Sequence, residues 1–497
     1  MKRWALIGLF LLCFRLLALA DELDRLVTVE MSKGSVYELL SHISERSGIL
    51  FIYEKGVVNN NKRTKISAGT YMLRDAILQV TGEKELQMRV IGTHILLSKG
   101  LAESLVQNNT IQGYVKDRRT NEAIPYCSVS FEATGSGTVT NLDGRFAIKI
   151  TDSIAQANVS FSHLGYRSCT VPIELFSEVK PEIFLDPIAV QLQEVVVRYV
   201  PAQKIIREML ENQAKNYSKE PAIVTSFYRE GVEVDNLFAS FTEGVCQIYK
   251  WGVGSLQEDQ VKLLKMRHLH NLRYPDSILV KIQAGVRASL LLDIVRHTPD
   301  FFAPDRDQYF TFTRVGMERT DSCLAHIIAF EQRETVIEPL YTGLLYIDSE
   351  NMALLKAEFE ISPLYIKQMG TNVVVKKSKN IDVEVKKMSY SISYRKWNGV
   401  YWINHVRGDI QLKIKKKKNL FQSSKSMNAF FEMATCDIDT KNVVSFPNRE
   451  RLSTGKVFSL IKFDYDADFW ERFNTIVPET KITEAIAKLL LNVEVQE

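Results

Sequence analysis

Between Val27 and Ser98 the apolar positions change period, and they do so twice in the same order. Val27-Thr28-Val29 alternates at the strand period of two. Val36, Leu39, Leu40 and Ile43 then fall at i, i+3, i+4 and i+7, one face of a helix. Ser35 opens that helix with Glu38 three residues on, the pair that builds a capping box. Gly48 closes it, because the left-handed backbone after a helix suits a residue without Cβ. Ile49 to Tyr53 reads as a strand. The second half has a short strand at Lys65-Ile66-Ser67, a helical stripe of Met72, Ala76, Ile77 and Val80, and a stop at Gly82. Leu86 to Val90 and His94 to Leu97 then pair around Gly92-Thr93. Residues 21–99 are therefore predicted to form a small α+β domain of two β-α-β units.

After a linker at Gln107-Asn108-Asn109 the pattern becomes all strand. Thr110 to Val115 alternates, Arg118 to Glu122 is a polar turn, and Cys127-Ser128-Val129-Ser130-Phe131 alternates again. Gly135 to Thr138 and Leu142-Asp143-Gly144-Arg145 carry tight-turn chemistry, Asp-Gly being a strong hairpin signal. Val159-Ser160-Phe161 and Cys169 to Ile173 add strands around Gly165-Tyr166. Short strands with turns this frequent predict a β-sandwich over 110–188. Asn141 and Asp143 read as turn residues rather than a cation site.

Residues 199–497 predict a long antiparallel sheet with a few helices. Pro201 to Gln213 has Ile205, Ile206, Met209 and Leu210 on one side, and Ile482 to Leu491 clusters Ile482, Ile486, Leu489 and Leu490. Val224 to Glu230 is strand-like. Tyr341 to Asp348 turns at Ser349-Glu350-Asn351 into Leu354 to Ile361, and Tyr390 to Lys396 turns at Asn398-Gly399 into Val400 to Ile403. The fold class expected is multidomain α+β: a β-α-β repeat domain, a sandwich, and a larger, mostly antiparallel β domain with flanking helices.

Composition adds the compartment. Apolar residues at 45% and charged ones at 25% describe an ordinary globular chain. A net charge of +4 is too small to argue for nucleic acid. Lys2 and Arg3, the apolar run Trp4 to Leu12 and the small-x-small site Ala18-Leu19-Ala20 make residues 1–20 a secretory signal peptide, cleaved before Asp21. Cys13 follows Leu11-Leu12 without the small residues that a lipoprotein peptidase requires. No later run of about 18 apolar residues follows, so no transmembrane helix is expected. Cys127, Cys169, Cys246, Cys323 and Cys436 are too few and too far apart for a disulfide scaffold. Cys127 and Cys169 each alternate with apolar neighbours and point into the sandwich core, as free thiols or as one disulfide.

Four parts of the sequence resemble known families. The run "VTVEMSKGSVYELLSHISERSGILFIYEKGV…KISAGTYMLRDAILQVTGEKELQMRVIGTHILLS" resembles the short N-terminal domain shared by secretins and TonB-dependent receptors. That resemblance implies a periplasmic docking module without catalytic residues. The order "IQGYVKD…AIPYCSVSF…GTVTNLDGRFAI…VSFSHLGYRSCTVPI" resembles the regulatory-like domain of carboxypeptidase D, a seven-stranded sandwich of transthyretin type. LQEVVV, with Leu192, Glu194, Val195, Val196 and Val197, is similar to the segment that introduces the plug of starch-utilisation-type TonB-dependent transporters. It is a candidate partner-binding strand for an energy coupler, though the plainer reading makes it a short strand linking two domains. A plug and a barrel of about 22 strands, each of ~10 residues, do not fit in 199–497, so none is expected. "Y-x-G-x-x-Y-I-D" and "Y-R-K-W-N-G-V-Y-W" are similar to the strand pattern of periplasmic half-barrels that carry lipoproteins.

Candidate chemistry is sparse. His42 and His94 lack metal-ligand spacing, and His268 and His270 share one strand face without an acidic or cysteine partner nearby. Cys323 and His326 lie in an apolar strand, which weighs against a nucleophile pair. Phe227-Tyr228-Arg229-Glu230 reads as a strand whose Arg and Glu pair, in preference to a ligand-facing cluster. Two basic runs remain, Lys376-Lys377-Ser378-Lys379 and Lys413-Ile414-Lys415-Lys416-Lys417-Lys418, each placed at an expected hairpin tip. Lys413, Lys415, Lys416, Lys417 and Lys418 are candidates for contact with an anionic surface, set against a solvated turn. The expected function is a non-enzymatic, exported, outer-membrane-associated interaction module without cofactors, docking to a transporter, coupler or signalling partner. The alternative is a periplasmic carrier of an apolar ligand such as lipid, and a hydrolase without a recognisable motif ranks third.

Overall fold

The computed structural model describes residues 22–54, 57–83, 86–91, 94–99, 110–150, 157–176, 181–188, 201–271, 281–282, 285–319, 323–369, 374–376, 381–416, 424–453, 458, 461 and 473–485. The chain divides into two compact units, residues 1–114 with 171–183, and residues 115–170 with 184–497. The predicted signal peptide and the LQEVVV segment lie outside the described residues. Among the described residues, no helix is long and apolar enough to cross a membrane.

In the first unit, strands β1 (Leu26–Val29), β2 (Lys33–Ser35), β3 (Leu50–Glu54), β4 (Arg63–Lys65), β5 (Gly69–Met72), β6 (Leu86–Ile91) and β7 (His94–Lys99) surround two helices, Val36–Ser47 and Leu73–Thr81. The capping box forms as the sequence predicts. Glu38 N–H donates to Ser35 Oγ at 3.1 Å, and Ser35 N–H donates to Glu38 Oε2 at 2.7 Å. Gly48 and Gly82 close the helices with φ of 71° and 70°. The stripe on the second helix is Leu73, Ala76, Ile77 and Val80, all buried, and not Met72. Met72 is the last residue of β5 and the helix N-cap, so the alternation of the strand turns it outward. The short strand expected at 65–67 instead ends at Lys65 and pairs with β2. β3 runs parallel to β7, and β6 pairs antiparallel with β7.

Seven strands follow: β8 (Thr110–Asp117), β9 (Ser128–Phe131), β10 (Gly137–Val139), β11 (Arg145–Lys149), β12 (Asn158–Ser162), β13 (Cys169–Pro172) and β14 (Pro181–Leu185). β9 lies between β10 and β12, with Ser130 opposite Gly137 on one side and Ser160 on the other. Val129, Phe131, Val159 and Phe161 point into the apolar interior, so Ser128, Ser130, Ser160 and Ser162 must face the other way. Cys127 and Cys169 are free thiols. Asn141 is a turn residue, its Oδ1 accepting from Asp143 N–H at 3.0 Å and from Arg145 N–H at 2.8 Å.

The rest of the second unit is built on one ten-stranded antiparallel sheet. It uses β15 (Ala222–Val234), β16 (Leu237–Lys250), β17 (Gln260–His270), β19 (Phe310–Arg319), β20 (Leu324–Gln332), β21 (Tyr341–Asp348), β22 (Leu354–Ile361), β24 (Ile381–Trp397), β25 (Val400–Lys416) and β26 (Lys425–Asp439). A minor pair, β18 (Lys281–Ile282) with β23 (Val374–Lys376), stands apart. The strand order is β17-β16-β15-β26-β25-β24-β22-β21-β20-β19. The hairpin read at Asn398-Gly399 is present, and both residues have positive φ, 50° and 84°, as a type I′ turn requires. The predicted first helix is Ala202–Glu211, and the C-terminal one is helical over 480–485, its later residues lying outside those described.

One face of this sheet is an apolar core. Tyr228, Ile248, Ile328, Phe330, Ile392 and Phe431 meet the chain's own Ile205, Ile206 and Met209 on the first helix. The segment 285–303 adds Val286, Ile294, Val295, Phe301 and Phe302, with Phe301 stacked on Phe330 at 4.4 Å. Full burial of each such side chain contributes about 1.5–3 kcal/mol. The apolar side of the sheet is thus covered from within the chain.

Candidate functional site

The opposite face of the sheet carries charged and hydroxyl side chains beside two small apolar clusters, one around Phe227, Val245 and Ala434 and one around Phe241 and Phe430, and its chemistry follows from strand parity. On β24 the sequence Ser389-Tyr390-Ser391-Ile392-Ser393-Tyr394-Arg395 alternates, sending Ile392 and Tyr394 into the core. Ser391, Ser393 and Arg395 therefore point the other way. On β26, Ala429, Phe431 and Met433 enter the core and Glu432 does not.

A row of alternating charge crosses five strands of this face. Register places Arg267 beside Glu243, Glu243 beside Arg229, Arg229 beside Glu432, and Glu432 beside Arg407. Arg229 and Glu432 are fully buried and bonded to each other. Arg229 Nη2 also donates to Glu479 Oε1 at 2.8 Å, and Arg267 Nη2 lies 2.5 Å from Glu243 Oε2. His405 Nε2 sits 3.2 Å from Glu432 Oε2, and Arg407 Nη1 lies 3.5 Å from the same oxygen. Burial alone would raise the Glu432 carboxyl, but Arg229 and Arg407 hold it well below the usual carboxylate range. Burial, with Glu432 close by, raises Glu479. The expectation that Arg229 and Glu230 pair is corrected here. Adjacent strand residues face opposite sides, so Arg229 turns to Glu432 while Glu230 Oε2 accepts from Tyr228 Oη at 2.6 Å.

Beside this row the sandwich strands and the polar face enclose a cleft of about 800 Å³. One wall carries Ser128, Ser130, Ser160 and Ser162, and the other carries Ser391, Ser393 and Arg395. Tyr126 stacks on His405 with ring centroids 4.4 Å apart. A second cleft of about 690 Å³ continues along the same face and shares Glu358, Ser391 and Asp409 with the first.

The cations lining the larger cleft differ in one respect. Lys356 lies 2.8 Å from Glu358, and Arg407 Nη2 lies 2.8 Å from Asp409. Arg395 is 9% exposed and donates from Nη2 to the carbonyl of Gly135 at 2.6 Å. Its Nε has no partner, and neither has the hydroxyl of Ser393. Among the described residues, no carboxylate lies within ion-pair distance of Arg395. Burial pushes its guanidinium down to about 10, with Cys436 and Asp437 opposing from further off.

The sequence-predicted residues fall elsewhere. Leu192, Glu194, Val195, Val196 and Val197 lie outside the described residues, as do Lys417 and Lys418. Lys413, Lys415 and Lys416 lie at the very end of β25, the end nearest the start of β26, with Ile414 opposite Lys425, Lys413 opposite Glu384 and Lys415 opposite Asp382. The buried Ile414 between Lys413 and Lys415 shows that the strand alternation continues into the run, up to the end of β25 at Lys416. Lys376 likewise sits in β23, opposite Lys281. His268 Nδ1 and Thr242 Oγ1 are 2.7 Å apart, an ordinary cross-strand bond. Among the described residues, no group of three or more His, Cys, Asp or Glu could hold a metal ion. Sequence reasoning passed over Arg395, Ser393 and His405. The alternating serines of 389–393 were the visible signal, since hydroxyls at period two mark a strand face that contacts neither core nor bulk charge.

Residues 111–197 match the CarboxypepD_reg-like domain family. No curated protein matches the chain. Among solved structures, the chain is similar to a DUF1329 family protein from Desulfovibrio piger at 8% identity, covering 50% of this chain and 96% of that one, with a TM-score of 0.22. It is similar to lipovitellin at 10% identity over 48% of this chain, TM-score 0.22, and to FpvA of P. aeruginosa at 8% identity over 82%, TM-score 0.14. The chain spans 28% of lipovitellin and 56% of FpvA.

Proposed function

We propose that this chain is an exported, non-enzymatic envelope protein that docks to transport or signalling machinery at the outer membrane. Residues 21–99 act as a docking domain of the secretin and TonB-receptor type and residues 110–188 as the regulatory-like sandwich. One observation carries the choice of an interaction protein over a lipid carrier. The large apolar face of the ten-stranded sheet is already packed by residues 202–217 and 285–303, and the open clefts lie on the side where hydroxyls and ion pairs are mixed with apolar side chains. A carrier of an apolar ligand needs the reverse arrangement. The histidines nearest the larger cleft support a structural role: His163 Nδ1 bonds the Leu164 carbonyl at 2.7 Å, and His405 is held by Glu432.

The test is affinity purification from detergent-solubilised envelope membranes, with N-terminal sequencing of the mature protein and lipid mass spectrometry of the eluate. The expected result is an envelope protein partner, a mature N-terminus at Asp21 and no stoichiometric lipid. Stoichiometric lipid would transfer the function to the carrier reading, and an uncleaved cytoplasmic protein would end both.

A further inference from the structure

We propose that the cleft between the sandwich serines and the β24–β25 face is a binding site for a small hydroxylated monocarboxylate, whose carboxylate pairs with Arg395. The proposal stands apart from the envelope reading, because the cleft would have the same chemistry in any compartment.

Charge bookkeeping within the cleft sets the ligand's charge. Lys356 is neutralised by Glu358, and Arg407 by Asp409 and Glu432. Lys396 is exposed to solvent and lies 5.7 Å over the Tyr401 ring, and Glu132 accepts from Thr170 Oγ1 at 3.3 Å. Arg395 remains: more than nine-tenths buried, with one bond to a neutral carbonyl and an unpartnered Nε. A buried guanidinium without a counter-charge is costly, and a bound carboxylate removes that cost. Guanidinium geometry favours a planar carboxylate, which it can grip with two parallel bonds.

The walls set the rest of the ligand. Ser128, Ser130, Ser160 and Ser162 from the sandwich, with Ser391 and Ser393 from β24, present hydroxyls that both donate and accept. The Ser393 hydroxyl, two residues before Arg395 on the same strand face, is also unpartnered. Such walls match a ligand rich in hydroxyls, while Ile124, Phe131, Leu164 and Leu355 in the same cleft can pack against its carbon skeleton. A volume of about 800 Å³ is that of a site for a small molecule rather than a folded partner.

The experiment is isothermal titration calorimetry on the full-length mature protein, with intrinsic tryptophan fluorescence, to which Trp397 in the cleft contributes, as a second readout. The probes are D-gluconate, sorbitol, hexanoate and inorganic phosphate. Gluconate should bind saturably with a Kd of roughly 1 mM or tighter. Sorbitol, which lacks the carboxylate, and hexanoate, which lacks the hydroxyls, should each bind at least about tenfold more weakly. Arg395→Gln should weaken gluconate binding by about tenfold or more, and Arg395→Lys should restore part of it. Should Arg395→Gln fail to fold, Ser160→Trp decides, since it fills the cleft from the opposite wall and should abolish binding. No saturable gluconate binding, a preference for phosphate, or unchanged affinity in a folded Arg395→Gln or Ser160→Trp protein would each overturn the assignment.

Discussion

Glu432 is the residue on which the charged row turns. It is bonded to Arg229 and His405 and lies beside Arg407, and no part of it reaches solvent. Replacing a buried pair with apolar groups is often tolerated, whereas removing one partner leaves an uncompensated charge. Glu432→Gln should therefore cost about 3–5 kcal/mol in urea unfolding. The same substitution should change the acid response. The folded carboxyl lies below its usual range, so its contribution is present above the unfolded value of about 4.3. That contribution is lost as pH falls through this value toward the depressed folded one. The unfolding free energy of the parent protein should decline over that range, and the decline should be shallower in Glu432→Gln. An equal slope in both proteins would mean that other carboxylates set the acid limit.

Elements were legible where their cause is local. The helix Val36–Ser47 is specified by Ser35, Glu38 and Gly48 within its own span, and the β24–β25 hairpin by two adjacent turn residues. The same locality makes the turn sensitive. Gly399, at φ 84°, lies in the left-handed region where a Cβ meets the following carbonyl, although the space around it is open. Gly399→Ala should lower stability by roughly 1–2 kcal/mol through backbone strain alone, measured by chemical denaturation. The basic run from Lys413 begins inside β25 and reaches its end, and the buried Ile414 reveals the strand that charge alone does not. The cleft was hidden for a different reason. Its serines are visible as alternation in 128–131 and 389–393, but nothing local says that these two faces oppose one another. Arg395 and its Gly135 acceptor are 260 positions apart.

At the scale of the second unit, sandwich and sheet share their support. Thr138 Oγ1 donates to the Thr475 carbonyl at 3.1 Å, Asn141 Nδ2 to the Val477 carbonyl at 3.0 Å, and Lys149 N–H to Asn474 Oδ1 at 2.7 Å. Gly135 approaches so closely that a Cβ there would lie 2.7 Å from the backbone oxygen of Ile438. Gly135→Val should thus loosen β10 and β26 together, seen as faster amide exchange in 137–139 and 425–439; a loss confined to the sandwich would show that the two layers are independent. The order of the strands has a further consequence, for folding in time. Every neighbour in the ten-stranded sheet is close in sequence except β15 and β26, whose Arg229 and Glu432 are 203 positions apart. The first-made strand of the sheet waits for the last before its free edge is covered. Such long-range closure makes folding slow, and a nascent chain held open until its final strand emerges stays threadable for as long as it is being made.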